Sequence, residues 1–249
     1  MTDAHCHAGA PARGMRFVCA ARMEDWDGIA RAESAGDLAF FGIHPFFAGD
    51  TDPEAVADAL RGILAAHPRA GVGEIGLDRL RDRSAVPAQI PLFEAQLRVA
   101  AEMHRPVVIH GAKAWGRAFE TVKPFTDRIP AVLFHGFSRA GGLVDGIVRC
   151  GGWFGVGPAI LNRHAVNYRE LVRSLPRERI LAETDSDGDP EIPPIENVVA
   201  GIADVFGKPA GETGALLEEN ARRFMALCGG GLREPDASAR AGRTEGGGE

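Results

Sequence analysis

Eight short apolar runs, spaced by longer amphipathic stretches, constrain this chain more than any other feature. They fall at residues 2–6, 15–21, 38–43, 71–75, 106–109, 131–134, 152–156 and 180–182. Several are nearly continuous in Val, Ile, Leu and Phe, as parallel strands buried on both faces are. The stretches between them read as helices. One spans 25–35, and one runs to about residue 66 after Asp52 as N-cap and Pro53 in the first turn. A third, 87–104, repeats Ile90, Phe93, Leu97, Ala100 and Ala101 at helical spacing. Residues 113–125, 139–150, 165–175, 195–206 and 211–227 follow the same pattern. Strands alternating with helices over this length predict an α/β fold, a (β/α)8 TIM barrel. An open doubly wound sheet is the alternative. Only residues 8–14 separate the first two runs, so the first βα crossover is shortened to a loop.

Residues 1–228 are expected to form a single barrel domain. From 229 to 249 the chain is Gly, Arg, Ala, Glu and Ser without apolar period and reads as a disordered tail. A net charge of −6 repels nucleic acid at long range, so such a substrate requires a local basic patch or bound cations. Cys6, Cys19, Cys150 and Cys228 form no C-x-x-C pair and read as reduced thiols. No basic-then-apolar leader precedes the first strand and no apolar run reaches membrane-spanning length, so a cytoplasmic protein is expected.

The polar residues that break or end the apolar runs carry the chemistry. His5 and His7, two apart on a strand, point to one side and make half a metal site. Glu74 interrupts the fourth run, His110 ends the fifth, His135 ends the sixth and Asp185 follows the eighth. Each alone is equally a hydrogen-bonded structural residue. Together they lie at strand C-termini, where barrel enzymes gather catalytic groups, and buried charges are costly unless paired or metal-bound. Four histidines and two carboxylates exceed the needs of one catalytic zinc with an open position, so two divalent metal ions are the economical reading, with Glu74 able to bridge them. Zn, Mn, Mg and Co all suit the set.

These residues sit in longer motifs: Asp3-Ala4-His5-Cys6-His7, Gly42-Ile43-His44-Pro45, Gly73-Glu74-Ile75-Gly76-Leu77-Asp78, Pro106-Val107-Val108-Ile109-His110, His135-Gly136-Phe137-Ser138 and Leu181-Ala182-Glu183-Thr184-Asp185-Ser186. Gln96-Leu97 and Asn220-Ala221-Arg222-Arg223-Phe224 fit as well. From residue 3 to about 227 the chain resembles the TatD-like metal-dependent hydrolases, within the amidohydrolase group of barrels. The resemblance implies that His5, His7 and Asp185 hold one metal, that His110 and His135 hold a second, and that Glu74 bridges them. It implies a metal-dependent nuclease acting on DNA. The chain departs from the family at its short first crossover, which is expected to leave one wall of the site open. It departs also at Arg79, Leu80, Ala112, Lys113, Gly136, Arg139 and Asp187, all near the substrate.

The expected activity is a phosphodiesterase, most simply a DNase, in which Asp185 takes a proton from the attacking water. His44, Lys113 and Arg139 are candidates for gripping phosphate, and Glu183 for supporting Asp185 or pairing with a cation. A deacylase or amidohydrolase acting on an ester or amide such as D-aminoacyl-tRNA is the second reading, disfavoured because strand four offers Glu74 and no lysine. A non-catalytic metal-binding barrel is the third. No protein partner is inferable.

Overall fold

The computed structural model describes residues 1–81, 85–139 and 141–228. Eight parallel strands follow in sequence order: β1 (Asp3–Cys6), β2 (Arg16–Cys19), β3 (Leu38–Phe41), β4 (Gly71–Gly76), β5 (Val107–His110), β6 (Val132–Phe134), β7 (Gly152–Val156) and β8 (Ile180–Ala182). Every one coincides with an apolar run of the sequence. The ring closes where Asp185 N donates to His5 O at 3.0 Å and His7 N to Ser186 O at 2.8 Å. Asp3 reinforces the seam, accepting from Thr184 N at 2.9 Å and Thr184 Oγ1 at 2.6 Å. The near-closed barrel bears out the TIM-barrel expectation over the open sheet.

The helices are α1 (Trp26–Ser34), α2 (Pro53–Ala66), α3 (Val86–Glu102), α4 (Trp115–Val122), α5 (Leu143–Arg149), α6 (Val166–Ser174), α7 (Ile195–Phe206) and α8 (Ala210–Cys228). Two begin later than their sequence pattern suggests, for local reasons. Lys113 has a left-handed backbone, φ 55°, which delays α4, and Gly141, φ 96°, delays α5. The first crossover contains no helix, as its length requires. The tail expected at 229–249 lies outside the described residues.

Two apolar layers lie on either side of the strands. Outside, the helices pack on the barrel through residues such as Val72, Phe93, Val107 and Ile202. Inside, Phe17, Phe40, Val108, Leu133, Trp153 and Leu181 fill the lower barrel with Phe224 of α8. Phe224 stacks on Phe17 with centroids 5.4 Å apart and meets Trp153 edge-on at 5.7 Å. Asn220 fixes this plug by donating to the carbonyls of Arg177 and Ile180, both at 2.8 Å. The N-terminal end is thus sealed with hydrocarbon, and the polar residues are left to the C-terminal mouth.

Two buried glutamines of α3 hold the backbone just past β3 and β4. Gln96 accepts from Ile43 N at 2.7 Å and donates to Ile43 O at 3.1 Å. Gln89 does the same for Asp78, at 2.9 and 3.1 Å. A pair of amide hydrogen bonds to the N–H and C=O of one residue satisfies groups that no strand partner reaches.

Candidate metal centre

Glu74 stands in the middle of the mouth with 2% of its side chain exposed. Its two oxygens face different neighbours. Oε2 lies 3.4 Å from His5 Nε2 and 3.7 Å from His7 Nε2, and Asp185 Oδ1 completes this side at 3.2 and 3.6 Å from the same two nitrogens. Oε1 lies 2.6 Å from both His110 Nδ1 and His135 Nε2, which are 3.2 Å apart, and 3.9 Å from His44 Nε2. Three overlapping groups have donor atoms all within 4.8 Å: His5–His7–Glu74, His5–His135–Asp185 and His44–Glu74–His110.

The Oε2 side has the dimensions of a cation cage. Ligand bonds of about 2.1 Å, directed tetrahedrally, place ligand atoms about 3.4 Å apart. The four distances from the His5 and His7 nitrogens to the Glu74 and Asp185 oxygens run from 3.2 to 3.7 Å. His5 Nε2 is fully buried and makes no hydrogen bond with any described residue, which fits a metal ligand better than a structural histidine.

For His7, His44, His110 and His135, outer partners decide which ring atom turns inward. His7 Nδ1 is 3.1 Å from the Cys19 carbonyl, so it carries the proton and Nε2 offers a lone pair. His110 Nε2 is 2.8 Å from Asp78 Oδ2, leaving Nδ1 for the centre. His135 Nδ1 faces Glu183 Oε1 at 3.5 Å, leaving Nε2. His44 is the reverse case. Its Nδ1 accepts from Phe46 N at 3.1 Å as the cap of the turn that Pro45 starts, so its proton is on Nε2 and points inward. Burial pushes the His44 imidazole down to about 4, so it is a neutral N–H donor.

The electrostatics centre on Glu74. Burial disfavours its charge, but the rings of His135, His5, His110 and His44 more than offset this and hold the carboxyl well below its usual range. Burial likewise opposes charge on His135, and Glu74 and Glu183 together outweigh it, raising the imidazole to about 10. At Asp185 desolvation is again overcome, by His5 and His7, and the carboxyl lies well below its usual range. Asp185 adopts a left-handed backbone, φ 56°, and its side chain is 52% exposed at the edge of the centre. Glu183 is instead buried, accepting from Gly136 N at 2.5 Å. It packs so tightly on β7 that a Cβ on Gly155 would come 2.1 Å from its Oε2.

Beside Asp185 opens a cavity of about 720 Å³. It is lined by residues following β6, β7 and β8, among them Ser138, Pro158, His164, Tyr168, Glu183 and Asp185, with no Lys or Arg among the described residues. The open wall is therefore over β6–β8. Over β1–β2, where the short crossover leads one to expect it, the backbone after β8 fills the gap: a Cβ on Gly9 would lie 1.8 Å from Asp187 O.

All six expected ligands thus converge. His44 joins them, on the Oε1 side. Lys113 and Arg139 stay on the exposed rim, and neither forms a hydrogen bond or ion pair with a described residue. Sequence reasoning did not single out Asp78, whose only signal is a carboxylate four residues past Glu74 at the same strand end. Nor did it find the Cys19 carbonyl, which has no sequence signature.

A parallel eight-stranded barrel with histidines and carboxylates gathered at the C-terminal mouth defines a metal-dependent hydrolase of the α/β-barrel class. The pattern of the TatD-related DNase family matches residues 2–226, and the chain belongs to that family, a hydrolase acting on ester bonds. It is similar to the 3′-5′ ssDNA/RNA exonuclease TatD of Erwinia tasmaniensis, 29% identical over 230 residues, 86% of this chain and 88% of that one. The TatD exonuclease of Dickeya dadantii is 31% identical over 198 residues, 74% of this chain and 75% of the relative. Among solved structures, YjjV, a TatD homologue from Escherichia coli, superposes with a TM-score of 0.77 at 25% identity, over 90% of this chain and 96% of YjjV. No helix among the described residues is long and apolar enough to cross a membrane.

Proposed function

We propose that this chain is a 3′-5′ exonuclease of single-stranded DNA or RNA that works with two divalent cations. The observation that supports this most directly is the position of Glu74, with one oxygen toward His5, His7 and Asp185 and the other toward His110 and His135. His5, His7 and Asp185 would hold one cation, His110 and His135 the other, and Glu74 both. Cations bound there supply an activated water and neutralise the phosphodiester, which lets an acidic protein accept a polyanion.

The protein's own groups do the rest. Asp185, half exposed beside the cavity, takes the proton of the attacking water. His44 donates its Nε2–H to a phosphate oxygen. The cavity, free of Lys and Arg, accommodates an uncharged part of the substrate, a nucleoside next to the scissile phosphate. Lys113 and Arg139 meet the strand's backbone at the rim. We read residues 1–228 as the catalytic barrel, and the four free cysteines as those of a cytoplasmic enzyme.

The test is a stripped enzyme returned to Mg²⁺, Mn²⁺, Co²⁺ or Zn²⁺ and given 5′-labelled single-stranded DNA, RNA, duplex DNA and an aminoacyl ester. Metal-restored shortening of the single strands from the 3′ end is expected. Cleavage of the ester alone would move the chain to the deacylase reading, and internal cuts would make it an endonuclease.

A further inference from the structure

Just past His44 the mouth carries two exposed aromatic rings. Phe46 is 45% and Phe47 39% exposed, in a molecule whose other large aromatics are nearly all buried. They are not isolated. The Phe46 ring lies edge-on to His44 at 4.3 Å and to His110 at 6.3 Å between centroids. The Arg81 guanidinium sits 4.9 Å over Phe46, and that of Arg22 5.9 Å over Phe47. Exposed rings interleaved with arginines are costly as plain surface, yet they match the two faces of a single strand, stacked bases and a charged backbone. Arg22 also pairs with Asp25 at 3.6 Å, and the patch of rings and guanidinium groups adjoins the centre that would hold the scissile phosphate.

We propose that Phe46 and Phe47 form a stacking shelf for a nucleobase of the bound single strand, with Arg22 and Arg81 on the neighbouring phosphates. The inference rests on the exonuclease reading above. Around the barrel β3 and β7 stand opposite each other, so a strand lying on the shelf crosses the candidate metal centre toward the cavity beside Asp185. The shelf thereby grips bases on one side of the scissile bond irrespective of sequence, since every base has a face to stack.

The test compares wild type, Phe46→Ala and Phe46→Trp on a single-stranded DNA, and on the same DNA with one abasic residue placed at successive positions from the 3′ end. Phe46→Ala keeps the backbone N–H that donates to His44 Nδ1. It is expected to raise KM for the intact strand about tenfold, with Phe46→Trp restoring it. With the abasic residue at the shelf position, wild type should show the raised KM and Phe46→Ala should add nothing. An unchanged KM on the intact strand would overturn the shelf. So would an equal penalty on every abasic strand, because Phe46 would then act through His44. Loss of self-association in Phe46→Ala with KM untouched would make the patch an interface between copies. A wild type that cleaves no nucleic acid with any metal would instead overturn the functional reading, before any variant is measured.

Discussion

On the Oε2 side of Glu74 the ring nitrogens of His5 and His7 stand 3.2 to 3.7 Å from the oxygens of Glu74 and Asp185, and His7 leans on a neutral carbonyl. On the Oε1 side His110 and His135 close to 2.6 Å and are backed by the carboxylates of Asp78 and Glu183. The difference is one of charge. The Oε1 side gathers three carboxylates around two imidazoles, so protons and cations compete for the same atoms. The Oε2 side is spaced too widely for short hydrogen bonds and presents its one exposed carboxylate, Asp185, to the cavity. On the reading proposed above, one half would hold its cation against protons and the other would present a base to substrate.

The largest effect should come from removing what the halves share. Glu74→Gln is expected to lower kcat/KM by roughly 10³-fold or more, about 4 kcal/mol of transition-state stabilisation, in a metal-saturated assay. A variant losing less than tenfold would show that the halves act independently. Asp185→Asn, confined to the Oε2 side, should reduce kcat by roughly 10²–10³-fold with KM little changed, since proton transfer and one ligand are lost together. Asp78→Asn probes the other side without touching a ligand atom. It should weaken cation binding there by about 10–100-fold, recovered at high metal concentration.

A fourth effect separates the halves by pH. His110 and His135 are raised by Glu74 and must be neutral to ligate, so cation uptake on the Oε1 side releases protons and weakens as pH falls. His44, lowered to about 4, stays neutral between pH 5 and 8 and releases none. Proton release measured during metal titration checks this. Uptake without release would refute the competition. The smallest effect is structural: Gly155→Ala, which forces a methyl against Glu183, should cost about 1–3 kcal/mol in a thermal or denaturant unfolding measurement.

The strands were legible because a strand buried on both faces is mostly hydrocarbon, as β3, β5, β6 and β8 are, and because such runs recur between amphipathic stretches. The candidate ligands were legible for the complementary reason. A His, Glu or Asp that interrupts, ends or closely follows such a run needs a partner, as His5, Glu74, His110, His135 and Asp185 do. The partners were not. Asp78 reaches His110 only because Gln89 fixes the turn after β4, and the Cys19 carbonyl is backbone. The tautomer that makes His44 a donor depends on a bond to Phe46 N. Lys113 and Arg139 stay at the rim because adjacency to a strand end does not aim a long side chain. The open wall moved from β1–β2 to β6–β8 because Asp187 packs onto Gly9, a contact between residues far apart in sequence.

The central claim is that Glu74 joins two cation sites into one hydrolytic centre. Metal content after equilibrium dialysis, measured beside cleavage on wild type and Glu74→Gln, tests it most directly. Two equivalents in wild type, with cleavage rising only as the second binds, and weakened uptake of both in Glu74→Gln are the predicted result. One equivalent sufficing for full activity, or two bound as tightly in Glu74→Gln as in wild type, would contradict it.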